Sequence, residues 1–83
     1  MEKSVFYYVY LLQSVDEGHF YTGFSEDLEN RLKSHNAGKD NHTAKYRPWR
    51  IKTAIAFTDR KKAFEFERYL KSPSGRAFAK KRL

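Results

Sequence analysis

Eighty-three residues without a cysteine exclude a disulfide framework and a cysteine-based zinc site, and they leave room for one domain, residues 1–83, with a single modest core. Seventeen Lys and Arg against ten Asp and Glu give a formal charge of +7, an excess that favours polyanionic partners, nucleic acid being the commonest. No apolar run reaches membrane-spanning length and the first residues lack a basic-then-apolar signal pattern, so a cytoplasmic protein is expected.

Val5 to Leu12 carries β-branched and aromatic residues on both alternating sets, the pattern of a central strand covered on both faces. Asp16-Glu17-Gly18 supplies a turn, and His19 to Phe24 resumes as a second strand of an antiparallel hairpin. With Ser14 opposite His19, Leu12 pairs with Tyr21, and Tyr10 becomes the diagonal neighbour of Tyr21 on the same face, about 7–8 Å away. A helix is expected from about Glu26 to Asn36, with Ser25 as N-cap, acidic residues in its first turn and Asn36-Ala37-Gly38 as its stop.

On that helix Arg31 and His35 are four residues apart and project from one face, beside a stripe of Leu28 and Leu32. Such a pair is either a solvated polar face or a guanidinium and an imidazole offered to a ligand. Lys39 to Arg50 has no periodicity and reads as a basic, aromatic-bearing loop whose Lys39, His42, Lys45, Arg47 and Arg50 are candidate phosphate contacts. A third strand runs from Arg50 to Thr58. Its Lys52, Ala54, Ala56 and Thr58 form the set small enough for a helix to lie against.

Thr58 or Asp59 caps a second long helix to about Lys71, with an apolar stripe of Ala63, Phe66 and Leu70 and Phe64 beside it. Glu67 falls inside that stripe. A carboxylate there needs a partner, either Arg or Lys or a divalent cation such as Mg²⁺, which commonly keeps its waters and takes one or two protein ligands. Ser72-Pro73-Ser74-Gly75 breaks the helix, and Arg76 to Leu83 reads as a short last helix in a strongly positive terminus. The order of elements specifies an α+β fold, a small three-stranded antiparallel sheet flanked by three helices.

Together these pieces resemble the GIY-YIG nuclease superfamily, in particular its small single-domain bacterial members related to the N-terminal nuclease domain of the excinuclease that cuts damaged DNA. The motifs stand here as Tyr8-Val9-Tyr10, Tyr21-Thr22-Gly23, Asp27-Leu28-x-x-Arg31-Leu32-x-x-His35-Asn36 and Ala63-x-x-x-Glu67-x-x-Leu70-Lys71. Tyr8 stands for the first glycine of the family motif and Thr22 for the isoleucine of the second. No asparagine follows Glu67, where many family nucleases carry one.

The resemblance implies metal-assisted phosphodiester hydrolysis in DNA, in repair or in the processing of structured DNA. One divalent ion, Mg²⁺ or Mn²⁺, would be held by Glu67, with Tyr10 as the leading general base and Tyr21 positioning the water, or the two exchanged. Arg31 would clamp the phosphate, His35 relay a proton, and Gly23 admit a close backbone approach. With no appended recognition domain in this sequence, specificity would come from the fold or from a protein partner. A non-catalytic nucleic-acid-binding module on the same fold is the alternative, and a protein-interaction domain whose charge serves solubility is the third reading.

Overall fold

The computed structural model describes residues 5–83, as a three-stranded antiparallel sheet with four helices. Strands β1 (Tyr7–Ser14), β2 (Phe20–Ser25) and β3 (Trp49–Phe57) lie in the order β2-β1-β3. The strand predicted to be central is central, because its two apolar sets each find a separate layer to pack against. Helices α1 (Leu28–Asn36), α2 (Asn41–Ala44), α3 (Arg60–Leu70) and α4 (Pro73–Arg82) supply those layers.

One face of β1 buries Val9 against Ala63 and Leu70 of α3, with Phe24, Phe57, Phe66, Ala79 and Leu83 packed around them. The opposite face buries Tyr10 and Leu12 with Trp49, backed by Tyr21, Leu28, Leu32 and Tyr46. Each fully buried aliphatic side chain here contributes about 1.5–3 kcal/mol relative to exposure.

Local chemistry sets several boundaries apart from those expected. Asp27, not Ser25, is the N-cap of α1, its carboxylate accepting from the Asn30 amide at 3.2 Å. Ser25 Oγ instead accepts from the Asp27 amide at 2.9 Å, too early in the chain to cap the helix. The expected loop after Gly38 contains the one-turn helix α2, capped by Asp40, whose carboxylate accepts from the His42 amide at 2.8 Å. The fourth helix begins at Pro73 rather than Arg76, because Ser72 caps it and proline suits a first turn whose amide has no partner.

The small set on β3 does not receive a helix. Ala54 and Ala56 are exposed, and α3 and α4 lie on the other side, where Phe57 meets Phe66 at 5.6 Å and Thr53 Oγ1 donates to the Leu83 carbonyl at 2.8 Å. Among the described residues no helix is long and apolar enough to cross a membrane.

Candidate active site

Strand register builds the centre of the site. Leu12 pairs with Tyr21, as the turn predicts, and Tyr10 pairs with Gly23. Both phenols therefore face the α1 layer, with ring centroids 6.3 Å apart. A Cβ on Gly23 would overlap the Tyr10 hydroxyl. The space that Gly23 leaves is filled by the protein's own tyrosine rather than kept open for a backbone approach.

From α1, His35 enters beneath the two rings. Its imidazole centroid is 4.7 Å from that of Tyr21, and its Nε2 is 3.2 Å from Tyr10 Oη. His35 is not offered to solvent, as its spacing with Arg31 suggests, but is 1 % exposed. Its Nδ1 lies 2.9 Å from Thr43 Oγ1, which is 3.4 Å from the Asp40 carbonyl. The threonine hydroxyl can satisfy that carbonyl only by donating to it, so it accepts from Nδ1–H and leaves Nε2 as acceptor for the Tyr10 hydroxyl. One buried chain, Tyr10–His35–Thr43–Asp40, thus runs from the sheet to α2.

Electrostatics agree with that assignment. Burial lowers the His35 pKa, and the neighbouring Arg31 charge lowers it further, so the ring is neutral. Burial pushes the Tyr10 phenol up to about 12 against the opposing pull of Arg31 beside its hydroxyl. Arg31 itself is held more firmly protonated, chiefly by Tyr10 and also by Tyr21 and Asp40. Its guanidinium is exposed and sits between both phenols and open water.

Arg31, Lys39 and His42 line a cavity of about 420 Å³ whose wall includes His35 and Asp40. The remaining basic candidates turn elsewhere. Lys45 lies over the Tyr46 ring at 5.9 Å, and the Arg47 guanidinium packs over Gly38. Arg50 reaches Gln13 at 2.9 Å and Glu17 at 3.9 Å, at the hairpin end of the sheet.

Glu67 occupies α3, in the layer on the other side of the sheet, with its side chain 13 % exposed and its carboxylate 2.8 Å from Lys71 Nζ. Lysine is thus the partner that a carboxylate in an apolar stripe requires. No group of three or more His, Cys, Asp or Glu that could hold a metal occurs among the described residues. A lone carboxylate still suits a Mg²⁺ ion that keeps most of its waters, provided the ammonium of Lys71 gives way.

Sequence reasoning missed Thr43 and Asp40 as parts of the site. Their signal was available: an Asx residue two positions after a glycine stop is an N-cap, and Thr43 is the third residue beyond it. Asn36 plays a supporting part, its side-chain oxygen accepting from the Trp49 amide at 2.6 Å and its side-chain nitrogen donating to the Trp49 carbonyl at 3.0 Å, which pins the end of α1 to the start of β3.

A small sheet that seats two tyrosines over a histidine and an arginine from the adjoining helix has a match among known catalytic domains. The GIY-YIG catalytic domain matches residues 6–82, and the chain belongs to the GIY-YIG family, a nuclease superfamily. Within it the chain is similar to bacterial proteins named UPF0213. It is 41 % identical over 66 residues to one from Lacticaseibacillus paracasei, covering 78 % of this chain and 73 % of that one. A second, from Halalkalibacterium halodurans, is 35 % identical over 71 residues, covering 84 % and 74 %. The solution NMR structure of a UPF0213 protein from Bacillus halodurans superposes with a TM-score of 0.55 at 32 % identity, covering 90 % of this chain and 80 % of that one.

Proposed function

We propose that the protein is a metal-dependent endonuclease that hydrolyses phosphodiester bonds in DNA, with a role in repair or in the processing of structured DNA. The observation that carries this reading is the Tyr10–His35 contact with Arg31 beside it, because a solvated polar helix face has no use for a buried imidazole under two phenols. The roles divide by exposure. Tyr10 is buried and its hydroxyl hydrogen is engaged by His35, so it positions. Tyr21 is partly open to solvent and takes the proton from the attacking water.

Arg31, beside both phenols and open to water, holds the scissile phosphate. His35, neutral, keeps Tyr10 and hence Gly23 and the β2 backbone in place. Glu67 is the residue that would hold one Mg²⁺ or Mn²⁺ ion. Although it stands across the sheet from Arg31, its partner Lys71 lines one cavity with Tyr21, and an ion there would supply charge stabilisation at a phosphate beside Tyr21. Lys39 and His42, beside Arg31, are suited to the neighbouring backbone phosphates.

The Glu67–Lys71 ion pair favours a second reading, a nucleic-acid-binding module without catalysis. An unpaired Glu67 would repel phosphate, but Lys71 already neutralises it. Cleavage of labelled duplex, single-stranded and branched DNA with Mg²⁺ or Mn²⁺ separates the two. Metal-dependent cutting by the wild type, abolished in Glu67→Ala and reduced at least about a hundredfold in Tyr21→Phe or Arg31→Ala, is expected for the nuclease. Salt-sensitive binding with no cutting would establish the module instead.

A further inference from the structure

A second cavity lies on the α3–α4 side of the sheet, a groove of about 640 Å³ that shares Tyr21 with the site described above. Leu11, Thr22, Leu70 and Ala79 give it a largely apolar floor. Lys52, Lys71, Arg76 and Lys80 line it as well, and no carboxylate does. Phe20 lines it with 56 % of its surface exposed, and Lys52 Nζ stands 5.6 Å from the centre of its ring.

Lys71 is paired with Glu67 at 2.8 Å, whereas Lys52, Arg76 and Lys80 repel one another around the groove and are held there by the fold and not by acids in the lining. Their natural counterpart is a polyanion. A duplex presents phosphates on its outside and keeps its base faces stacked, so it would meet the cations and leave Phe20 and the apolar floor wet. An unpaired strand satisfies both, with phosphates on the ammonium and guanidinium groups and a base face on the phenyl ring. Because every base has a π-face, one aromatic platform of this kind is indifferent to sequence.

We propose that this groove binds a single-stranded segment of nucleic acid, with a base stacked on Phe20 and phosphates on Lys52, Arg76 and Lys80, and that the bound strand leads to Tyr21. Only the last step rests on the nuclease reading; binding in the groove does not. It assigns to the protein a substrate with an unpaired strand next to the phosphate that is cut.

The test is fluorescence anisotropy with a labelled oligothymidylate and, separately, a blunt duplex, without divalent metal. Phe20→Ala is expected to weaken binding of the single strand about tenfold and leave the duplex unchanged, with Phe20→Trp restoring it and Phe20→Leu not. The pair Lys52→Glu and Lys80→Glu is expected to weaken it further and to flatten the salt dependence by about 0.7 in log–log slope for each phosphate no longer held. All three positions are exposed, so the variants fold, and unchanged thermal unfolding verifies it. A wild type that does not bind the single strand overturns the proposal. So does equal weakening of strand and duplex by Phe20→Ala, or binding indifferent to all groove variants. Groove-dependent binding by a protein that never cuts sustains the groove and rejects the nuclease reading, whereas cutting by a protein whose strand binding ignores the groove does the reverse.

Discussion

Tyr10 and His35 form a pair in which each side chain is kept neutral by burial and each satisfies the other. That arrangement has opposite consequences at the two ends of the pH scale. An unfolded histidine takes up its proton near pH 6.5, and folded His35 only at lower pH. Stability is therefore complete above about pH 6.5 and falls as acidification charges the unfolded chain first. Tyr10 ionises at about 12 in the fold and near 10 when unfolded, so stability is intact below pH 10 and lost as pH rises towards 12, by about 2–3 kcal/mol in all. Urea unfolding across pH checks both, with His35→Gln expected to lose the acid limb that His35 contributes and Tyr10→Phe the alkaline one. Gly23→Ala drives a methyl group into the Tyr10 hydroxyl and is expected to cost about 1–3 kcal/mol, visible in the same unfolding curves.

At this scale the sequence carried the identities but not the surroundings. The four-residue spacing of Arg31 and His35 put them on one face correctly. What spacing lacks is the depth of that face, which depends on α2 closing over it. Only with Thr43 in place does His35 become interior while Arg31, one turn earlier, stays in water.

Among the elements, α1 shows how a cap is chosen when two candidates compete. Ser25 and Asp27 both hold amides, but only the Asp27 carboxylate reaches an amide three residues on, inside the helix. Asp27→Ala is expected to destabilise the fold by about 1 kcal/mol, with Ser25→Ala costing less, a ranking that urea midpoints at constant slope would establish. The strands were legible because period-two patterning, a turn signal and the order of elements agree with one another. Helix α2 was not, since four residues are too short to show a period and only the capping Asp40 marks it. On β3 the pattern showed two alternating sets but not which faced the helices. Small residues permit a helix to approach, yet it is Phe57, packed in the α3 core, and Thr53, bonded to the Leu83 carbonyl, that hold α3 and α4 in place.

For the whole molecule, basic side chains line two cavities on opposite sides of the sheet, the first of them shared with the Asp40 carboxylate. Arg31, Lys39 and His42 line one, while Lys52, Lys71, Arg76 and Lys80 line the other. Tyr21 adjoins both, since it lines the groove and its ring lies 4.7 Å from that of His35. A substrate with duplex on one side of the scissile phosphate and an unpaired strand on the other can engage the two together, and the second contact then forms within a complex already made. A duplex with a single-stranded overhang is accordingly expected to bind more tightly than either part alone, with affinity falling steeply as salt rises. Lys39→Glu is expected to weaken the plain duplex and spare the plain strand, and Lys80→Glu to do the opposite. On the overhang substrate the two effects should multiply, because the residues share no partner and lie on different faces. Anisotropy titrations of the two single variants and the double variant measure that product directly. If Lys39→Glu and Lys80→Glu weaken all three nucleic acids alike, the basic surface is one undivided field and the cavities do not discriminate between strands.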